Sequence, residues 1–274
     1  MPAAAAAAPA VVPTRNNRLH AQAPGWADQI NWQYPWSRPW RDIGAPVQAA
    51  VTAGTPLWSA LRVGGCAPVR FVSHTELTPN TGYERFIRET GCCPVRDTLH
   101  DFFNGLCWLK FPQAKLRLNE LQYQQIGGAP AGSARGAVRD ALTLFDENAA
   151  LLWAPATLWS ALQDKDWSRV FGELRPLWED AQLLLFGHAL LEKLQQPRKA
   201  ITAHVYRLPE HMDDLPALDK WLANDLCAAT LATKPFAHLP MLGVPGWWAA
   251  NDDQVFYHDL SVFRAPGRLT GEAK

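Results

Sequence analysis

Residues 99–119 read LHDFFNGLCWLKFPQAKLRLN. Leu99, Phe102, Phe103, Leu106 and Leu109 recur at the i, i+3, i+4, i+7 spacing of one apolar helical stripe. Thr98 just before it is a good N-cap, and Asp101 three residues on completes a capping-box pattern. Pro112 ends this helix and suits the first position of a second, predicted to run to about Gln125. Polar side chains interrupt both helices at helical spacing. His100 and Asn104 stand four apart on the flank of the first, and Lys115 and Asn119, with Gln122, share one side of the second. Two readings stay open for them: a catalytic set, or the wet side of two amphipathic helices.

Working outward, APVRFVS at 67–73 reads as a strand and GYERFIRET at 82–90 as a helix stopped by Gly91. PGWADQINWQYPWSRPW at 24–40 keeps no helix or strand period and reads as an extended segment docked through its aromatics. Downstream, GGAPAGSARG at 127–136 is a loop, and 141–154 reads as two strands around an Asp146-Glu147-Asn148 turn. Helices are predicted at 155–163 and 176–195, the second with Pro176 at its start, and at 215–232. A strand is predicted at 201–208, and the tail from 235 is loop-rich with a short strand at QVFYH. Isolated strands among helices, without regular βαβ alternation, give an α+β class. The expectation is one helix-rich domain over 21–268 with a few short strands including one hairpin. A disordered Ala/Pro arm at 1–20 and a flexible tail at 269–274 flank it.

The chain has 274 residues, enough to bury a sizeable core. Lys plus Arg and Asp plus Glu each total 26, so no basic footprint points to nucleic acid. Five cysteines, two of them adjacent at Cys92-Cys93, form neither a disulfide framework nor a zinc spacing, which fits reduced thiols in the cytoplasm. MPAAAAAAPAVVP lacks a positive n-region and reads poorly as a signal peptide. The apolar run LLLFGHALL at 183–191 is half the length of a membrane span. Thirteen tryptophans scatter along the chain. Large aromatics mostly fill cores, and ligand platforms are their minority use.

Further polar groups break apolar runs. In FGHALLEK, 186–193, His188 stands in an apolar run behind Gly187, with Glu192 one turn on. A buried histidine beside a carboxylate suits acid–base work, and equally a self-satisfying pair. In RDALTLFDEN, Arg139 precedes an apolar run that Asp146 and Glu147 end, as a cation ligand or a turn would require. LGVPGWWAAN presents Trp247 and Trp248 on a rigid loop, as a platform or a lid. The motifs GxSxG, GxxxxGK[ST], HExxH and GxGxxG are all missing.

HDFFNGLCWLKFPQAKLRLN, RDALTLFDEN, FGHALLEKL and LGVPGWW, in that order, resemble a bacterial family of domains of unknown function, number three thousand and twenty-five. The resemblance spans about residues 25 to 265 and implies a single soluble bacterial domain. It brings no activity and no catalytic residue with it. Two functions follow from the residues. One is an enzyme, hydrolase-like, acting on a small polar substrate. Its catalytic residues would be His100, His188 and Glu192, with Asn104, Lys115, Asn119, Arg139 and Trp247 binding substrate. A divalent metal held by His100, His188, Glu192 or Asp146 is compatible with that set. The other is a non-catalytic binding module with a tryptophan-rich surface. The enzyme requires its motifs to converge, and the module requires its tryptophans to be exposed.

Overall fold

The computed structural model describes residues 25–127 and 136–264. The Ala/Pro arm, the inner part of the 127–136 loop and the 269–274 tail lie outside them. The chain enters through turns and 3-10 segments that lead into α1 (Arg41–Thr52) and α2 (Leu57–Ala60). Next come β1 (Arg70–Ser73), α3 (Tyr83–Thr90) and β2 (Cys92–Val95). The two strands pair in parallel, Arg70 opposite Cys92, with α3 as the crossover. Gly91 closes α3 at φ 66°, a left-handed conformation that glycine adopts without a Cβ penalty.

α4 (Leu99–Lys110) and α5 (Pro112–Gly127) follow as the spacing requires. The Thr98 hydroxyl accepts from the Asp101 amide at 3.1 Å. The Asp101 carboxylate turns back past the cap to the Arg96 amide at 2.7 Å. Phe102, Phe103 and Leu106 are fully buried. Then come α6 (Ala137–Asn148), β3 (Ala149–Trp153), α7 (Ala156–Gln163), β4 (Gln182–Leu185) and α8 (His188–Lys193). They are followed by β5 (Thr202–Arg207), α9 (Leu215–Asp225), α10 (Ala228–Ala232) and β6 (Ala237–Pro240). The second sheet runs β4-β3-β5-β6, with β3 and β5 parallel and both outer pairings antiparallel. The class is α+β, and one continuous apolar core joins both sheets and the helices. No helix among the described residues is long and apolar enough to cross a membrane.

Five expectations are corrected. Residues 141–154 are no hairpin: α6 starts at Ala137 and runs through Asp146-Glu147-Asn148 straight into β3. The helix buries Ala141, Leu142 and Phe145 on one face, and its first turn lies before the stretch that looked like alternation. Residues 176–195 are not one helix. Gln182–Leu185 is an edge strand on β3, and both Phe186 and Gly187 donate their amides to the Ala149 carbonyl before α8 begins. The 215–232 helix breaks at Leu226-Cys227 into α9 and α10, and Gln254–His258 is a 3-10 helix rather than a strand. The 24–40 segment docks through aromatics as expected, but in tight turns rather than extended. Trp36 and Trp40 are buried, and the Trp36 indole donates to the Leu194 carbonyl at 3.1 Å.

Candidate functional site

α4, α5, α6 and α8 surround a cleft of about 410 Å³ that the N-terminal end of α3 also borders. His100 lies in the first turn of α4, and His188 is the first residue of α8. α8 can begin there because residue 187 is glycine. A Cβ on Gly187 would come within 2.5 Å of the Glu147 carbonyl oxygen, so the end of α6 and the start of α8 meet backbone to backbone. That contact sets Asp146 beside His188.

The rings of His100 and His188 face each other through their Nε2 atoms at 3.1 Å. His100 Nδ1 lies 2.9 Å from Glu192 Oε2, and His188 Nδ1 lies 3.8 Å from Asp146 Oδ2 without a hydrogen-bond partner. Lys115 Nζ donates to Asp146 at 2.5 Å and to Asn104 Oδ1 at 3.0 Å, with the Trp108 ring 5.4 Å away. Asn104 in turn donates to the Tyr83 hydroxyl at 2.9 Å, which contacts Cys93 Sγ at 3.2 Å. Asn119 spends its amide on Glu84, 2.9 Å from the backbone carbonyl and 2.6 Å from the carboxylate. Arg96 holds Asp101 through Nε at 3.0 Å and a terminal nitrogen at 2.9 Å.

These contacts fix the protonation pattern. A 3.1 Å Nε2···Nε2 contact holds a proton whichever ring carries it. If that were the only proton besides one Nδ1–H, the other Nδ1 would turn a lone pair on a carboxylate. Glu192 and Asp146 at the two ends therefore favour one imidazolium in the pair. His100 is the ring that favours the charge: its hydrogen bond to Glu192 raises its pKa above the usual histidine value, against partial burial. The start of α4 opposes a cation by about 0.3–1 kcal/mol. A hydrogen bond to a charged group contributes about 1.5–3, so the carboxylate wins. Burial pushes His188 down to about 3, against the pull of Asp146, and keeps it neutral. Burial also opposes both charges of the Lys115–Asp146 pair. Their mutual attraction prevails, lifting the lysine above and holding the aspartate below its ordinary value. Removing one partner of such a buried pair leaves an uncompensated charge.

Most of the sequence-derived candidates meet here. His100, His188, Asn104, Arg139 and Asp146 line the cleft, and Glu192 touches it through His100. Lys115 and Asn119 stand behind the wall, each 3% exposed, so they are not a solvated helix face. Glu192, expected beside His188, pairs with His100 instead, because α8 packs against α4. Trp247 is elsewhere: half-buried, its ring lies 5.8 Å from that of Trp36. Five of the thirteen tryptophans are buried, and the other eight, Trp247 and Trp248 among them, are half-buried. Among the described residues no group of three or more His, Cys, Asp and Glu side chains is arranged to hold a metal ion. The expected metal ligands are turned on one another. Sequence reading missed Glu84 and Tyr83. An acid in the first turn of the 82–90 helix looks like dipole complementation, and nothing local shows that Asn119 reaches it from 35 residues away.

A family model described as "Protein of unknown function (DUF3025)" matches residues 69–268. The chain belongs to this family. Neither the curated proteins nor the solved structures hold a match to it. Every cleft residue named above lies inside the DUF3025 region, while α1 and α2 precede it.

Proposed function

We propose that the cleft is the active site of an enzyme in which His100 exchanges a proton with a small polar substrate, or with water attacking it. The observation that carries this reading is the His100–His188 contact at 3.1 Å with Glu192 on the far nitrogen of His100. A carboxylate on Nδ1 orients an imidazole and leaves Nε2 as the exchanging nitrogen, the arrangement that general acid–base catalysis uses. His188 Nε2 occupies the place that a substrate atom takes when it enters. Asn104 and Arg139 on the cleft wall contact the substrate, while Lys115 and Asn119 hold Asp146 and Glu84 in position. The most concrete form is hydrolysis: above its raised pKa His100 is neutral, its Nε2 takes a proton from the attacking water, and the imidazolium so formed returns that proton to the leaving group.

The test is turnover of a chromogenic carboxyl ester, a phosphoester and an amide by wild type, His100→Gln and Lys110→Gln. Lys110 bonds the Pro39 carbonyl outside the cleft and serves as the control. One class should be turned over, with a rate inflection above the ordinary histidine pKa and a loss of about 10²–10⁴-fold in His100→Gln. Turnover undiminished in His100→Gln, or no turnover of any class by folded protein, overturns the reading.

A further inference from the structure

Among the described residues Arg139 is the cleft arginine with no carboxylate in direct hydrogen-bond or ion-pair contact. The cations around it are matched: on the wall Arg96 with Asp101 at 2.9 Å and His100 with Glu192 at 2.9 Å, and behind it Lys115 with Asp146 at 2.5 Å. Among the described residues Arg139 has neither a hydrogen bond nor an ion pair, although it is half-buried on the cleft wall. The segment that precedes its helix, GAPAGSAR at 128–135, contains no Asp or Glu. A guanidinium held partly out of water without a partner is a ready site for a planar or tetrahedral anion, which it grips through paired N–H donors.

We propose that the substrate carries a carboxylate or phosphate group and that Arg139 binds it. The proposal rests on the acid–base reading for the reacting end of the molecule. α6 sets the orientation. Arg139, Thr143, Asp146 and Glu147 line the cleft from successive turns, and Asp146 stands against His188. Seven residues of helix separate Arg139 from Asp146, a rise of about 10 Å. The anion therefore binds one end of the cleft while the rest of the molecule reaches the histidines. Glu147 stands at the histidine end without a side-chain partner among the described residues, and it repels an anion there. Glu84, also on the wall, stands within electrostatic reach of Arg139, which favours its ionised form, and is only partly charged near neutral pH. Burial, opposed by the Asn119 hydrogen bond, lifts its carboxyl to about 7. A cleft of about 410 Å³ accommodates a metabolite-sized anion.

The experiment titrates inorganic phosphate and acetate, separately, into the full-length chain by NMR, following the Thr143 amide and the His100 ring. Wild type is set beside Arg139→Gln, Arg139→Lys and, as control, Arg41→Gln on exposed α1 surface. One of the anions should bind saturably with a dissociation constant of about 1 mM, and the tighter one identifies the group. Arg139→Gln should weaken it at least about tenfold, Arg139→Lys less, and Arg41→Gln not at all. Binding of neither anion, or binding unchanged in Arg139→Gln, overturns the proposal. Failures are separable. Turnover indifferent to Arg139→Gln removes the anion anchor and keeps the catalytic reading. Anion binding that needs Arg139, with no turnover of any class, keeps the anchor and removes the catalysis.

Discussion

At the scale of the residue, two histidines 3.1 Å apart behave as opposites because of what lies behind each. His100 gains a carboxylate, and its folded pKa stands above its unfolded value. The stability from that bond is therefore complete below about pH 6.5, the unfolded histidine value, and is lost as pH rises through the higher folded value. His188 is buried neutral, its folded pKa down at about 3. Its contribution is complete above the unfolded value and declines as pH falls from there towards about 3. NMR titration should show one ring titrating above the ordinary histidine value and one that stays neutral down to the acid unfolding range. In Glu192→Gln the first should fall, and the stability lost relative to wild type should be larger at pH 6 than at pH 9. A His100 titration unmoved by Glu192→Gln contradicts the assignment. The sequence showed the flanks of this site and not its pairings. His100, Asn104, Lys115 and Asn119 stood out as polar breaks in apolar periodicity. That Glu192 would meet His100, 92 residues away, depends on how α8 crosses α4, which no local spacing encodes.

At the scale of the element, the helices around residues 99–119 were legible because cap, stripe and proline agree there. The region 137–195 was not, because its signals conflict. Asp146-Glu147 at the end of α6 opposes the helix dipole and looks like a turn. The fold accepts them because Lys115 reaches Asp146 from α5, and Lys193 Nζ donates to Asn148 Oδ1 at 2.8 Å from α8. LLLF at 183–186 is equally apolar as buried helix or as strand, and only pairing with β3 decides. The junction of α6, β3 and α8 turns on Gly187, whose φ of −65° any residue adopts. Glycine is required there by space alone, since a Cβ would press on the Glu147 carbonyl and the Asn148 amide at 2.5 and 2.6 Å. Those are backbone atoms that cannot rotate aside. Gly187→Ala should cost about 1–3 kcal/mol in urea unfolding and should bring the two histidine titrations closer together, because α8 shifts away from α6. A variant with wild-type stability and histidine titrations shows that the junction is slack, which the backbone contact does not allow.

At the scale of the whole molecule, the segment that the family model matches and the folded unit do not coincide. The family match begins at residue 69, yet Trp36, Trp40, Val47, Leu57 and Leu61 lie before it and are at most 1% exposed. They belong to the same apolar core as the cleft helices. The Trp40 ring sits 6.0 Å from Phe111 at the joint between α4 and α5, and the Trp36 indole is tied to the Leu194 carbonyl after α8. Leu61 fills the space that Gly105 leaves on α4, where a Cβ would meet its Cδ1 at 2.5 Å. Each fully buried large apolar side chain is worth about 1.5–3 kcal/mol. Losing five of them together takes away as much as the entire net stability of a typical domain, about 5–15 kcal/mol. A fragment of residues 69–268 should therefore lack a cooperative thermal transition by circular dichroism and should bind hydrophobic dye, while the full chain melts cooperatively. A fragment that melts like the full chain would show that the first two helices are a covering rather than a wall of the core. In that case the positions of His100 and His188 would owe nothing to the residues before 69. If the fragment is unfolded, the α4–α8 crossing that joins the histidines depends on tryptophans that lie outside the family segment altogether.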